Sequence, residues 1–183
     1  MFSGGSYSLG QLLPMRFRPS DLISDPDIPL LLQPQNNQIQ LTPAAEAILE
    51  SRNHDVPFIK AAKEALLEAT NSYSPYSRCP AGAALITLEG SVHSGGYIES
   101  AAYNPGLPPL QTAIIDAVTD RMPSYTRVSE VVLVELERGP VQHAPTTKVI
   151  LEQIAPGAVL TVLTAKWSDD GDSSSNNDTD ISS

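Results

Sequence analysis

The sequence predicts an α/β domain, a three-layer α/β/α sandwich around a mixed sheet. Three observations carry this. Apolar runs at 81–88, 127–137 and 158–165 are too continuous for strands with one face in water, so they read as strands covered on both sides. Segments with helical spacing separate the later runs, and strands joined by crossover helices lie parallel. A Glu-Gly turn at 89–90 folds the first run back on its neighbour as an antiparallel hairpin, which makes the sheet mixed.

The elements follow in order. Residues 1–42 read as an extended arm: the stretch from Leu12 to Gln40 carries five prolines, which forbid long helices, yet Leu12, Leu13, Phe17, Leu22, Ile23 and 30–32 are too apolar for a free linker. Pro43 opens a helix over 43–51. A stronger helix covers 57–71, where Phe58, Ala61, Ala62, Ala65, Leu66 and Ala69 fall on one face. The hairpin pairs 81–88 with 91–100. Pro108 and Pro109 open a helix over 108–120, and an Asn-Pro-Gly turn at 104–106 leads into it. A strand at 127–137, a helix at 144–154 stopped by Pro156-Gly157, and a strand at 158–165 complete the domain over 43–167. Residues 168–183 read as a disordered acidic tail.

Composition removes several function classes. The chain has 183 residues and a net charge of −10, half of it from the five aspartates of the tail. A mildly acidic body is the wrong sign for a nucleic-acid backbone. No stretch approaches a membrane span, and no leader pattern is read at the start. The single cysteine, Cys79, excludes an internal disulfide and a multi-cysteine zinc site, and suits a reducing, cytoplasmic setting. Cys79 reads as a structural thiol, since no histidine nearby in sequence pairs with it. His54 and His93 bear no ligand spacing and are expected at the surface. Gly95 and Gly96 are expected to relieve crowding on their strand.

Residues 72–118 carry a set of markers: Pro75-Tyr76-Ser77, Gly-Ala-Ala-Leu on a strand at 82–85, the Glu-Gly turn, and G-x-x-x-E-x-A-x-Y-x-P over 95–105 running into a helix. Taken together they resemble the cytidine deaminase family. The arm at 9–22 and the variant at 102–113 are similar to the degenerate C-terminal half of two-domain deaminases, in which an arm links a catalytic first half to a degenerate second half. The resemblance extends through about residue 166, and Met1 sits close to where such an arm begins.

The resemblance implies a definite chemistry. Zinc deaminases hold Zn²⁺ with a His or Cys at one helix start and two Cys at another, and a nearby Glu moves protons. The metal lowers the pKa of its bound water from 15.7 to roughly 7. Carried over residue by residue, the first ligand position falls at Pro108 and the proton-shuttle position at Leu110. The two cysteine positions fall at His143 and Thr146. None but His143 has a group that serves as a good zinc ligand, so no catalytic or metal set is expected. Glu99 stands at the ribose-binding acid position, Tyr97 replaces the ribose-binding Asn, and Cys79 stands where the family places an apolar or aromatic partner.

The expectation is therefore a non-catalytic cytidine-deaminase-like domain with no cofactor. It would act as a structural partner in pyrimidine nucleoside salvage, as a homodimer or with a catalytic cytidine deaminase domain. Two alternatives stand beside it. One is an active zinc-dependent cytidine deaminase, as family membership alone suggests. The other is a nucleoside-binding module without turnover, resting on Glu99.

Overall fold

A computed structural model describes residues 6–15, 17–23, 25–101 and 106–168. The acidic stretch 169–183 and residues 104–105 of the expected turn lie outside the described residues, as does Tyr103.

The arm contains one turn of helix, α1 (Leu9–Leu12), and a 3₁₀ turn at Pro19–Leu22. Each is closed locally, Ser8 with Gln11 and Arg18 with Asp21. The domain then runs β1 (Ile39–Leu41), α2 (Pro43–Ser51), α3 (Val56–Thr70), β2 (Ala81–Thr87), β3 (Val92–Gly96), α4 (Pro109–Thr119), β4 (Val128–Leu136), α5 (Ala144–Ile154) and β5 (Val159–Trp167). The strands form one sheet in the order β1-β5-β4-β2-β3. Only β4 and β5 pair in parallel; the other neighbours are antiparallel. The mixed sheet is as expected, with one addition. Residues 39–41, read as part of the arm, form β1 and pair with 165–167, which extends β5 past the expected end at 165. Three residues are too few for a periodic signal, and the strand is held by its partner rather than by its own pattern.

Strand alternation sends side chains to two cores. Ala84, Ile86, Val132, Val134 and Leu163 meet Phe58, Ala61, Ala62, Ala65 and Ala69 of α3, with α2 beside them. Ala83, Leu85, Val131 and Leu133 meet Leu110, Ala113 and Ala117 of α4, Leu151 of α5 and its C-cap Ala155. Helices on both faces explain why β2 is buried along its whole length. Small residues let the layers close. A Cβ added at Gly82 would lie 2.3 Å from the Ala65 carbonyl oxygen, and one at Gly95 would lie 2.4 Å from the Ala113 nitrogen. The expected relief of crowding at Gly95 is thus the close approach of α4 to β3.

Helix starts follow the sequence signals. Thr42 and Asp55 accept from the amides of Ala45 and Phe58, each ahead of a proline in the first turn. Asn37 staples the arm to the end of α3, its Nδ2 donating to the Ala69 and Ser72 carbonyls at 3.0 and 2.8 Å. Arg52 bridges Glu130 and Asp55 at 2.7 and 2.5 Å and stacks 3.6 Å over the Phe58 ring centroid. His54 is exposed. His93, expected at the surface, is buried instead, with Nδ1 3.4 Å from Asp116 of α4. Burial alternates along β3, and His93 shares with Gly95 the face that α4 covers.

Candidate functional site

Two helix starts, α4 and α5, and the chain just after β3 define the site. Residues 97–99 are held by backbone pairing on both sides. The Tyr73 amide donates to the Tyr97 carbonyl at 2.9 Å and the Glu99 amide to the Tyr73 carbonyl at 2.8 Å. On the other side, Ile98 and Leu107 exchange both amide–carbonyl bonds, at 3.0 and 2.8 Å. That pair seats Pro108, the N-cap of α4, one residue from the anchor. Thr112 tightens the turn: its hydroxyl donates to the Gly96 and Pro109 carbonyls, both at 2.9 Å.

Pro108 is half-buried and brings no donor atom. Two residues on, Leu110 is 1% exposed and sits in the core beneath α4. The position therefore holds hydrocarbon in a dry environment, where a charged group would need a partner. Burial of a leucine at this depth is worth about 1.5–3 kcal/mol.

His143 is the N-cap of α5 and is buried against Tyr97, ring centroids 4.5 Å apart at 60°. Loss of water around the imidazole pulls its pKa down to about 4, against a smaller upward pull from the Glu99 carboxylate. The ring is neutral at pH 7, and its Nε2 is buried with no hydrogen-bond partner. Thr146 points outward and is exposed, while its neighbour Thr147 is buried.

Glu99 is also buried, and its carboxylate closes the loop before β2. The Tyr76 amide donates to it at 2.8 Å and the Ser77 amide at 3.1 and 3.2 Å to its two oxygens. A second buried carboxylate, Glu135 of β4, holds the start of α5. Its Oε2 accepts from the amides of His143 at 2.6 Å and Ala144 at 3.3 Å. Negative charge at a helix N-terminus is favourable. Burial nevertheless pushes the Glu135 carboxyl upward, with the two amides pulling it part of the way back. The one sequence clue to Glu135 is an acid that follows the apolar residues 131–134 of a central strand.

The structure thus brings Tyr97, Glu99 and His143 together, sets Pro108 beside them, and turns Leu110 into the core and Thr146 to solvent. A zinc ion does not fit this donor set. His143 Nε2 is buried without a hydrogen-bond partner, and no group of three His, Cys, Asp or Glu suited to a metal occurs among the described residues. Residues 102–105, outside the description, are Ala-Tyr-Asn-Pro and add none of these types. Cys79 is buried and free, its Sγ 3.4 Å from the Ser77 carbonyl oxygen. No helix among the described residues is long and apolar enough to cross a membrane.

The family model described as "Cytidine and deoxycytidylate deaminase zinc-binding region" matches residues 9–148. Cytidine deaminase 1 of Arabidopsis thaliana is 39% identical over 155 residues, covering 84% of this chain and 50% of that protein. Probable inactive cytidine deaminase 4 of the same plant is 37% identical over 153 residues, covering 82% and 59%. The crystal structure of cytidine deaminase from Burkholderia pseudomallei aligns over 58% of this chain and 83% of that one, with 24% identity and a TM-score of 0.49. The chain thus spans only part of the relatives it matches, about half of Cytidine deaminase 1. The α/β fold, the residue markers around Glu99 and the matched family model lead to one conclusion: this chain belongs to the cytidine deaminase family.

Proposed function

We propose that this chain is a non-catalytic cytidine-deaminase-like domain that serves as a structural partner in pyrimidine nucleoside salvage. One observation carries the proposal. At the two helix starts where the family assembles its chemistry, Pro108 and Thr146 offer no adequate ligand, Leu110 is packed in the core, and His143 stands alone. The partner is a second folded body, either another copy of the chain or a catalytic cytidine deaminase domain. The relative named as probably inactive supports loss of turnover within the family. The family match begins in the arm, at residue 9, and this chain covers only about half of Cytidine deaminase 1, which supports a role beside a second body.

Zinc content and ammonia release test the proposal. The purified chain, equilibrated with zinc and desalted, is expected to hold well below one equivalent and to release no ammonia from cytidine or deoxycytidine. Stoichiometric zinc with chelator-sensitive deamination would instead restore the active-enzyme alternative.

One observation favours a second reading, a nucleoside-binding module without turnover. Glu99 keeps an ordered carboxylate beside Tyr97 and the unpartnered His143 Nε2. Calorimetric titration with cytidine decides it: no heat at millimolar nucleoside eliminates this reading.

A further inference from the structure

We propose that the outer edge of β3 is a docking groove for an extended, basic segment of another protein, which adds to the sheet as a further strand and sets a basic side chain against each wall. The free edge follows from the parity of the backbone bonds. The Tyr97 amide donates to the Ala81 carbonyl at 2.8 Å, and the Thr87 amide to the Ser91 carbonyl at 2.9 Å. Odd-numbered residues of β3 therefore spend their amides and carbonyls on β2, and Val92, Ser94 and Gly96 turn theirs to the other side. There the Thr112 hydroxyl takes the Gly96 carbonyl, and past the end of β3 Ile98 is paired with Leu107. Among the described residues no backbone group pairs with the amides of Val92, Ser94 and Gly96 or with the carbonyls of Val92 and Ser94. A row of this kind is a template for strand addition.

The edge lies in a groove between α3 and α4. Two cavities run along it, of about 550 Å³ beside Val92 and about 320 Å³ beside Ser94 and Gly96, and each is lined from both helices. Both walls are acidic. Even-numbered residues of β3 face α3: the Ser94 hydroxyl donates to Glu68 Oε1 at 3.2 Å, and a Cβ on Gly96 would lie 3.4 Å from Glu68 Oε2. Odd-numbered residues face α4, where Asp116 and the C-cap Asp120 stand exposed, 3.4 and 4.0 Å from His93 Nδ1. Glu68 is in no ion pair among the described residues. Burial pushes its carboxyl upward, the Ser94 hydroxyl pulls it back, and the charges of Glu64 and Asp116 push it up again. Lys60, at the Val92 end, is the base that lines the groove. A cation brought in by a partner is thus what the Ser94 end lacks. Residues directly opposite on neighbouring strands share a face. An incoming residue opposite Ser94 therefore points at Glu68, and its neighbours in sequence point at the wall of Asp116 and Asp120. The segment that fits is extended and carries two consecutive basic residues.

This assignment goes beyond the structural-partner reading and does not depend on it, so its test is separate from the zinc and ammonia assays. The probe is a fluorescein-labelled octapeptide, Thr-Val-Thr-Arg-Arg-Thr-Val-Thr, titrated with the full chain at low salt and read by anisotropy. Saturable binding is expected, with a dissociation constant below about 1 mM. Glu68→Gln combined with Asp116→Asn keeps the side-chain shapes and should weaken binding about tenfold. Two further peptides, N-methylated at every second residue in the two alternate registers, separate strand addition from charge attraction: one of them should lose about tenfold in affinity and the other little. In hydrogen exchange on the natural chain, the saturating peptide should slow the amides of Ser94 and Gly96 about tenfold. The absence of saturable binding would overturn the proposal. So would equal affinity for both methylated peptides and the parent, affinity indifferent to the double substitution, or protection gained elsewhere and not at Ser94 and Gly96.

Discussion

The imidazole of His143 packs edge-on to the ring of Tyr97, 4.5 Å between centroids, and both rings are buried. An N-cap side chain and a residue just past a strand therefore meet across the place where two helix starts converge. The contact makes His143 a packing residue whose charge state is set by the absence of water. Four predictions follow from this arrangement and its neighbours.

Acid should loosen the domain through His143. The folded pKa, about 4, lies below the ordinary 6.5, so the unfolded chain holds the proton more tightly. The neutral ring's contribution is complete above pH 6.5 and is lost as pH falls towards 4. The size is on the order of 3 kcal/mol, from about 1.36 kcal/mol per pKa unit. Urea midpoints between pH 7 and 4 should fall for the natural chain and fall less for His143→Phe. Parallel slopes for the two would contradict the assignment.

Glu135 holds the start of α5 by accepting two amides, so its removal should be costly and its isostere mild. Glu135→Ala leaves the His143 and Ala144 amides buried without an acceptor, at about 1–3 kcal/mol each at most. Glu135→Gln retains an acceptor and should restore most of the loss in a denaturation curve. The pH sign is opposite to that of His143. Burial raises the folded carboxyl above its ordinary 4.5, so stability from this group is complete below that value and is lost as pH rises through the folded value. In the Gln variant that component of the profile should be flat.

The Glu99 carboxylate is engaged by the loop before β2, which gives it a structural effect independent of any ligand. Glu99→Ala should expose the Tyr76 and Ser77 amides, with protection in hydrogen exchange lost first at those two positions and a stability cost of about 1–3 kcal/mol. Unchanged protection there would show that the loop is held by other contacts.

Gly95→Ala should be among the most damaging small substitutions. The added Cβ would meet the α4 backbone at 2.4 Å, and a helix pinned through Leu107 and Thr112 has no room to withdraw. Overpacking of this kind costs about 1–3 kcal/mol or more. A thermal scan showing a midpoint within 2 °C of the natural chain, about the shift of a sub-kcal change, would contradict the close approach.

Much of this fold was legible because its signals are local. Pro43 marks the start of α2, an apolar face marks α3, and apolar runs mark β2, β4 and β5. What was not legible depends on long-range partners. β1 exists because β5 offers it an edge, and His93 is buried because α4 lies over β3. At the site, Glu99, Leu110 and His143 were found by their place in a motif. Glu135 was missed because its partners, the first amides of α5, are backbone groups that no residue pattern advertises. Thr146, at one of the family's cysteine positions, is exposed, and its neighbour Thr147 is buried.

The central claim is that this family member has lost its hydrolytic chemistry at Pro108, Leu110, His143 and Thr146. The most direct measurement is ammonia release from cytidine by the purified chain supplied with zinc, with and without a chelator. The account predicts no release under either condition. Release that the chelator abolishes would contradict it.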